Sequence, residues 1–408
     1  MTGFTLSARS LAWRLHCAEG AIETSLRSEV GRLGATRAFV VSSPSIASRT
    51  DTVTRVEQAL ADTHAGTFAG IENDSTFRSV EAATAAARES GADLIVAVGG
   101  GSVIVAARAV DIFLCEAGSP FDLMTQYPEG SRAFSPRLNA PKLPVINIVT
   151  TPTSAMNRAG TGLKNPALRH RMEYFDPKTR PASILWDWAA LTATPFSVLR
   201  STATTTFIGS WSAILEFEPN PLVDGDRQQA FRCARRAFLE LASSPDAIGP
   251  RLDLCAAALL ANRAEDDHAG PMIREAPGGF STGDYAVSTA IHVRYPHVGQ
   301  GEATSALLAA SIRRSPTAPL EFVRRGAQAL DCWRDGMSAA EGQEAIARAL
   351  AELLAAMGMP ARVCELRFPR ADIPVIAGET ARNFNANAGA RSEGERVAAS
   401  AALLEAAW

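Results

Sequence analysis

Residues 94–98 read Leu-Ile-Val-Ala-Val, and Gly99-Gly100-Gly101-Ser102 follow without a break. A short apolar run with no alternation fits a strand buried on both faces, the situation of a strand inside a parallel sheet. Parallel strands need crossover connections, and helices supply them. The Ala- and Val-rich segment after the glycines, to about Ala109, reads as such a helix. Glycines between a strand end and a helix start leave backbone N–H groups uncovered by any Cβ, at the positive end of the helix dipole. That arrangement favours a pyrophosphate, although a plain tight turn uses the same residues. The spacing is not GxGxxG and no P-loop Gly-Lys-Ser/Thr occurs, which disfavours ATP hydrolysis.

The flanking sequence repeats the same alternation. Arg37–Ser42, Thr67–Ile71 and Pro144–Val149 read as strands, and Asp51–Ala61 and Phe77–Ser90 as helices. Val80, Ala83 and Ala87 share one face of the latter. Residues 117–143 hold many Pro and Gly and read as a connecting loop. After about Asp187 the pattern changes to helices only: Val198–Phe217, Gln228–Leu241, Arg251–Ala264, Ala303–Arg313, Pro319–Leu330, Gly342–Ala355 and a tail from about Gly394. The chain of 408 residues is long for one core. The expected fold is a Rossmann-like α/β domain with an open, mostly parallel sheet over residues 1–187, followed by an all-helical domain over 188–408. Ligands of open sheets bind beyond the carboxyl ends of the strands, and the active site is expected between the two domains.

Composition excludes several partners. A formal net charge of −3 offers no basic field for a phosphate backbone, so no nucleic acid is expected. No stretch approaches the roughly 18 apolar residues of a membrane span. The N-terminal apolar run around Arg9 and Arg14 is broken by His16 and Glu19 and does not read as a targeting signal. The cysteines (Cys17, Cys115, Cys233, Cys255, Cys332, Cys364) are scattered without a CxxC pair, which fits a reducing cytoplasm.

A second hydroxyl-rich segment, Thr150-Thr151-Pro152-Thr153-Ser154, follows the strand ending at Val149. Such hydroxyls suit a phosphate, a ribose or a nicotinamide amide, and also serve as helix caps. With these landmarks the chain resembles the iron-containing (group III) alcohol dehydrogenase family, of dehydroquinate synthase-like fold. The family's GGGSxxDxAK stretch is matched by GGGSVIVAAR (Gly99–Arg108), and its PTTAGTGSE loop by VTTPTSAMN (Val149–Asn157). The segment ILWDWAALTATP (Ile184–Pro195) and Asn73 in IEND follow the family's order. The resemblance implies NAD(P)H as cofactor. Gly99, Gly100, Gly101 and Ser102 would cradle its pyrophosphate, Thr150, Thr151 and Ser154 would line the nicotinamide and phosphate side, and Asn73 would sit near the adenosine half. Ser43 stands where the family often has an acidic residue, so a phosphorylated ribose is tolerated.

The resemblance also implies a metal held by one Asp and three His. Here those positions read Thr206, Ser210, Ser288 and Gln300, with His297 as the alternative for the last. The lysine and aspartate of the glycine-run helix are Arg108 and Val105, and the glutamate of the threonine loop is Asn157. His292 and His297 are the close histidines, and Pro296 between them disfavours a shared helix face. No tightly bound metal is therefore expected. His292 matches a family histidine beside substrate and is the expected proton or hydrogen-bond donor, with Asn157 and His297 assisting. Arg158 and Arg294 are candidates for an acidic group on the substrate, and Thr206 and Ser210 for its other contacts. The expected activity is a metal-independent, maleylacetate reductase-like hydride transfer to or from a small carbonyl or alcohol. A non-redox lyase or cyclase and a non-catalytic dinucleotide-binding relative are the alternatives. A small-molecule substrate and a homodimer are the expected partnerships.

Overall fold

The computed structural model describes residues 12–128, 133–168, 170–215, 218, 220–267, 285–381 and 392–408. The chain divides into two compact units at Pro195–Phe196. The first contains β1 (Arg14–Ala18), β2 (Ala38–Ser42), β3 (His64–Phe68), β4 (Leu94–Gly99), β5 (Val145–Val149), β6 (Gly160–Leu163), β7 (Met172–Phe175) and β8 (Ser183–Asp187). Six of these form one sheet in the order β1-β8-β5-β4-β2-β3, and β6 and β7 form a separate hairpin. Every pairing in the six-stranded sheet is parallel. The inner strands β2, β4, β5 and β8 are buried at every residue, which is why the sequence shows continuous apolar runs there. Along β4, Leu94, Val96 and Val98 pack with Ile22, Leu26, Val30, Val56 and Leu60 from the helices Ala21–Leu33 and Thr52–Leu60.

This order creates a switch point. From β2 the chain crosses to β3 on one side, then returns to β4 on the other. The connections leave β2 and β4 in opposite directions, opening a crevice at their carboxyl ends. The glycine run lies there.

Several elements differ from the sequence expectation. β3 lies at His64–Phe68, not Thr67–Ile71. It is a half-buried edge strand whose Gly66 and lack of alternation blur its limits. The helix after the glycines is Gly101–Cys115 and runs past Ala109, because Arg108 and Asp111, which look like solvent-facing residues, are buried within it. The stretch 117–143 contains a short helix, Pro120–Leu123. The edge strand β1 and the β6–β7 hairpin carry no apolar run and were not legible as strands.

The second unit, Phe196–Trp408, has no strand among its described residues. Its helices include Phe196–Ala213, Pro221–Leu241, Ile248–Asp267, Tyr285–Arg294, Gln300–Arg314, Ala339–Ala356 and Glu393–Ala407. One core gathers Phe207, Trp211, Phe231, Phe238, Leu308 and Leu350, and another gathers Val287, Ile291, Leu307, Ile376 and Leu404. No described helix is long and apolar enough to cross a membrane.

One buried acid anchors the edge of the sheet. Glu29 is 1% exposed and accepts hydrogen bonds from Arg32 Nε at 2.8 Å, from His16 Nε2 at 3.1 Å and from the Ser183 hydroxyl. Burial alone would raise its pKa, but the bonds from Arg32, Ser183 and His16 outweigh burial and hold it at about 2. A carboxyl held below its unfolded value contributes stability above that value and loses it as pH falls toward the folded one. Glu29→Gln is expected to cost about 2–3 kcal/mol at neutral pH and to flatten the loss of stability between roughly pH 4.5 and 2. Urea unfolding across that range measures both effects.

Candidate functional site

β4 ends at Gly99, and Gly100 caps the helix Gly101–Cys115. The cap has extended backbone and no side-chain hydrogen bond, and the first turn carries no acidic residue. The first helical bond of this kind runs from Ile104 N to Gly100 O at 3.1 Å. The amides of Gly101, Ser102 and Val103 therefore lack intrahelical acceptors and face outward at a helix N-terminus. Gly99 is required sterically, and Gly100 and Gly101 sit where a Cβ would be tight. A Cβ on Gly99 would lie 2.6 Å from Val103 Cγ2, one on Gly100 would lie 3.1 Å from Thr151 Oγ1, and one on Gly101 would lie 3.2 Å from Thr153 Oγ1. The geometry is a cradle that side chains would fill, and it fits a dinucleotide pyrophosphate.

The threonine loop is the other wall. Thr150 N donates to Gly99 O at 3.1 Å, continuing the β4–β5 pairing into the two loops. The Thr194 hydroxyl donates to Thr150 O. A hydroxyl has one proton, so in the 2.9 Å contact between Thr151 Oγ1 and Thr194 Oγ1 the donor is Thr151. Thr151 then presents only lone pairs to a ligand. It can accept from an amide or a ribose hydroxyl but cannot donate to a phosphate oxygen. Thr150 Oγ1 is buried and has no hydrogen-bond partner. Ser154 is exposed on the short 3-10 turn Ser154–Asn157.

Ser102 joins the cradle to the segment after β3. Its hydroxyl accepts from Asp74 N at 3.0 Å, and its carbonyl accepts from Ser75 Oγ at 2.6 Å. Asp74 and Ser75 have φ of 62° and 50°, a left-handed pair of non-glycine residues. Arg171, just ahead of β7, pairs with Asp74 and braces the turn. Asn73 is exposed at its head. Ile71 N donates to Ser42 O at 3.0 Å, so the end of β2 and the following Ser43 are tied to the same region. Ser43 caps the helix Pro44–Arg49, with Oγ 3.1 Å from Ser45 Oγ. The expected cofactor residues thus lie along the carboxyl edge of adjacent strands.

Sequence reasoning missed Arg108 as a structural element. It is 2% exposed, and its Nη1 donates to Ala155 O at 2.6 Å and Arg158 O at 2.7 Å, holding the end of the threonine loop. Asn157 is 2% exposed, and Arg158 is exposed.

In the second unit, His292 is half-buried near the end of the helix Tyr285–Arg294, with Nδ1 2.7 Å from Val298 O. A carbonyl only accepts, so Nδ1 carries a proton. His297 is exposed and donates from Nε2 to Leu366 O at 3.0 Å. Arg294 pairs with Glu379 at 2.8 Å, which already compensates its charge. Gln300 Nε2 donates to Ser288 Oγ at 2.7 Å, and Ser288 Oγ donates to Tyr285 O at 3.1 Å. Thr206 and Ser210 lie on the helix Phe196–Ala213. Ser210 is 2% exposed and its hydroxyl has no partner. Hydroxyls and one amide, two of them bonded to each other, do not fit a tight iron or zinc site. No group of three His, Cys, Asp or Glu among the described residues is placed to hold a metal. Asp284, the acidic residue near His292 and His297 in sequence, lies outside the described residues.

The threonine wall gives a direct expectation. Thr194→Val keeps the shape but removes the acceptor of Thr151 and the donor to Thr150 O, and should cost about 1–2 kcal/mol. Thermal unfolding alongside dinucleotide titration would show whether the loop loosens. Unchanged stability would refute the hydroxyl chain.

Comparison with known proteins agrees with this geometry. The model of the family described as iron-containing alcohol dehydrogenase matches residues 14–188. Maleylacetate reductase 2 of Cupriavidus pinatubonensis (strain JMP 134 / LMG 1197) is 41% identical over 99 residues, 24% of this chain. The matched stretch spans only 27% of that protein's length. Among solved structures, an alcohol dehydrogenase from an archaeal halo-thermophile of a Red Sea brine pool, bound to NZQ, superposes with a TM-score of 0.80. It is 18% identical, with 100% of each chain covered. Sulfoacetaldehyde reductase from Bifidobacterium kashiwanohense, in complex with NAD+, gives a TM-score of 0.75 at 16% identity, covering 98% of this chain and 99% of that one. These two likenesses establish the fold. Residues 14–188, which carry the glycine cradle and the threonine loop, are thus the part of the chain that is similar to the iron-containing alcohol dehydrogenase family.

Proposed function

We propose that the protein is an NAD(P)H-dependent oxidoreductase that interconverts a small carbonyl compound and its alcohol without a bound metal. The observation that carries this reading is the uncapped helix start at Gly99–Ser102, walled by the threonine loop. Gly99, Gly100, Gly101 and Ser102 would hold the pyrophosphate. Thr150, Thr151 and Ser154 would face the nicotinamide side, with Thr151 as an acceptor. Asn73 and Ser43 would lie toward the adenosine half, where the lack of a carboxylate tolerates a 2′-phosphate. When bound, the nicotinamide supplies the hydride for reduction or receives it in oxidation.

The chain's own part is to handle the proton. Because the Nδ1 proton of His292 is held by Val298 O, proton transfer uses Nε2. In reduction the ring must begin as imidazolium to give a proton to the substrate oxygen. In oxidation the neutral ring receives it. Asn157 and His297 are assigned supporting hydrogen bonds. The substrate's acidic group, if it has one, is assigned to Arg158 or to Arg294, the latter paired with Glu379. The names of the maleylacetate and sulfoacetaldehyde reductases support an acidic carbonyl as substrate.

Gly100→Val should weaken NADH or NADPH binding by roughly 100-fold or more by obstructing the phosphate approach, and calorimetry measures it. Unchanged affinity would refute the cradle. His292→Gln should lower kcat by roughly 100-fold or more while cofactor affinity holds, and near-normal turnover would remove His292 from the mechanism. Dialysis against a chelator should leave kcat unchanged, and a loss restored by iron or zinc would overturn metal independence. A protein that binds the dinucleotide but oxidises it with no carbonyl would instead support the non-redox lyase or cyclase reading.

A further inference from the structure

The carbonyl that fixes the His292 ring belongs to a turn, and that turn is fastened from outside. The helix Tyr285–Arg294 ends with Tyr295 N donating to Ile291 O at 2.9 Å. Val298 N then donates to Tyr295 O at 2.9 Å, which closes a β-turn with Pro296 in its second position. Tyr295 opens the turn and Val298 ends it. Val298 is buried, and its carbonyl accepts the Nδ1 proton of His292 at 2.7 Å. Whatever orients Tyr295 therefore bears on the carbonyl that holds the imidazole.

Tyr295 is held at both its face and its tip. The ring stacks on Phe368, with centroids 4.7 Å apart and planes 8° from parallel. The hydroxyl donates to Asp372 Oδ2 at 2.5 Å. Asp372 stands at the start of the helix Ile373–Thr380, where an aspartate commonly caps its own helix, yet its side chain makes no cap bond. The carboxylate serves the phenol instead. Burial, and then the bond to Asp372, push the Tyr295 phenol up to about 12, so it stays a donor through the neutral range. His297, inside the turn, adds a second tie from Nε2 to Leu366 O at 3.0 Å. The turn is thus pinned to residues 366–372 at three points. A neutral imidazole has two tautomers, and the hydrogen bond at one nitrogen decides which is present.

We propose that Tyr295, held by Asp372, is a positioning residue for His292: it fixes the turn whose Val298 carbonyl keeps the proton on Nδ1, so that Nε2 is the nitrogen that exchanges a proton with substrate. The proposal rests on the proton role of His292 in the proposed reaction.

The test uses the full chain with isotope-labelled histidine, whose ring nitrogens report the tautomer by NMR at a pH where imidazole is neutral. His292→Gln identifies the His292 signals. The unaltered protein is expected to show His292 protonated on Nδ1. Tyr295→Phe keeps the ring on Phe368 and removes only the hydroxyl, and it should give a mixture of tautomers, as should Asp372→Ala. Turnover should fall roughly tenfold in each, the worth of one hydrogen bond to a charged group, with the KM for the dinucleotide unchanged. The double variant should lose no more than either single one, because both remove the same bond. Asp372→Asn keeps an oxygen that accepts from the phenol and should lose less than Asp372→Ala. Thermal unfolding of each variant checks folding. An Nδ1 tautomer that persists in Tyr295→Phe, whatever happens to turnover, would overturn the proposal. So would equal damage in Asp372→Asn and Asp372→Ala, which would make the charge and not the bond the operative feature. Mixed tautomers with unchanged turnover, or in a protein that turns over no carbonyl, would establish the hold on the ring and remove the proton role of His292 instead.

Discussion

The contact between Gly99 and Val103 sets the geometry of the first unit. With no Cβ on Gly99, the valine methyls close onto the end of β4 and the helix starts hard against the sheet. That position aims the first-turn amides outward. It also puts Ser102 within reach of Asp74 and Ser75, and, two turns on, Arg108 within reach of the threonine loop. A side chain at Gly99 would displace the helix start and with it the ties to both neighbouring loops. The apolar strand matters because it gives this contact a rigid base.

The same features decide how much could be read from sequence. β4 was legible because burial on both faces erases alternation, and the glycines mark its end. The turn into the following helix was legible from the same run. β1 was hidden because Arg14 and His16 look like loop residues, whereas Glu29 partners both. Arg108 was visible only as a replaced lysine. Yet Ile104, Arg108 and Asp111 recur at helical spacing and all are buried, and a solvated arginine does not occupy the face of an isoleucine. That pattern was the available signal. The proton direction at Thr151 was not legible, because it depends on Thr194, distant in sequence.

The second unit keeps its helical packing while the polar positions expected to hold metal carry other chemistry. Ser288 and Gln300 satisfy each other, so the position of Gln300 at the start of its helix is set by a neutral hydrogen bond. Close helix contact is preserved nearby: a Cβ on Gly301 would lie 2.2 Å from Ser201 O, and Gly301 N donates to Ser201 Oγ at 2.9 Å. Backbone approach there is specified by glycine and serine, not by coordination. The helical core is therefore ordered by direct side-chain and backbone contacts.

The left-handed pair Asp74–Ser75 bears on how this protein can be re-engineered. Two non-glycine residues in that conformation are held by Ser102 and Arg171, so insertions or swaps in the turn would release strain and unseat the cradle together. Ser43 carries no such burden beyond its cap and the contact with Ser45. The end of β2 is accordingly open to substitution, while the turn after β3 is better treated as fixed scaffold.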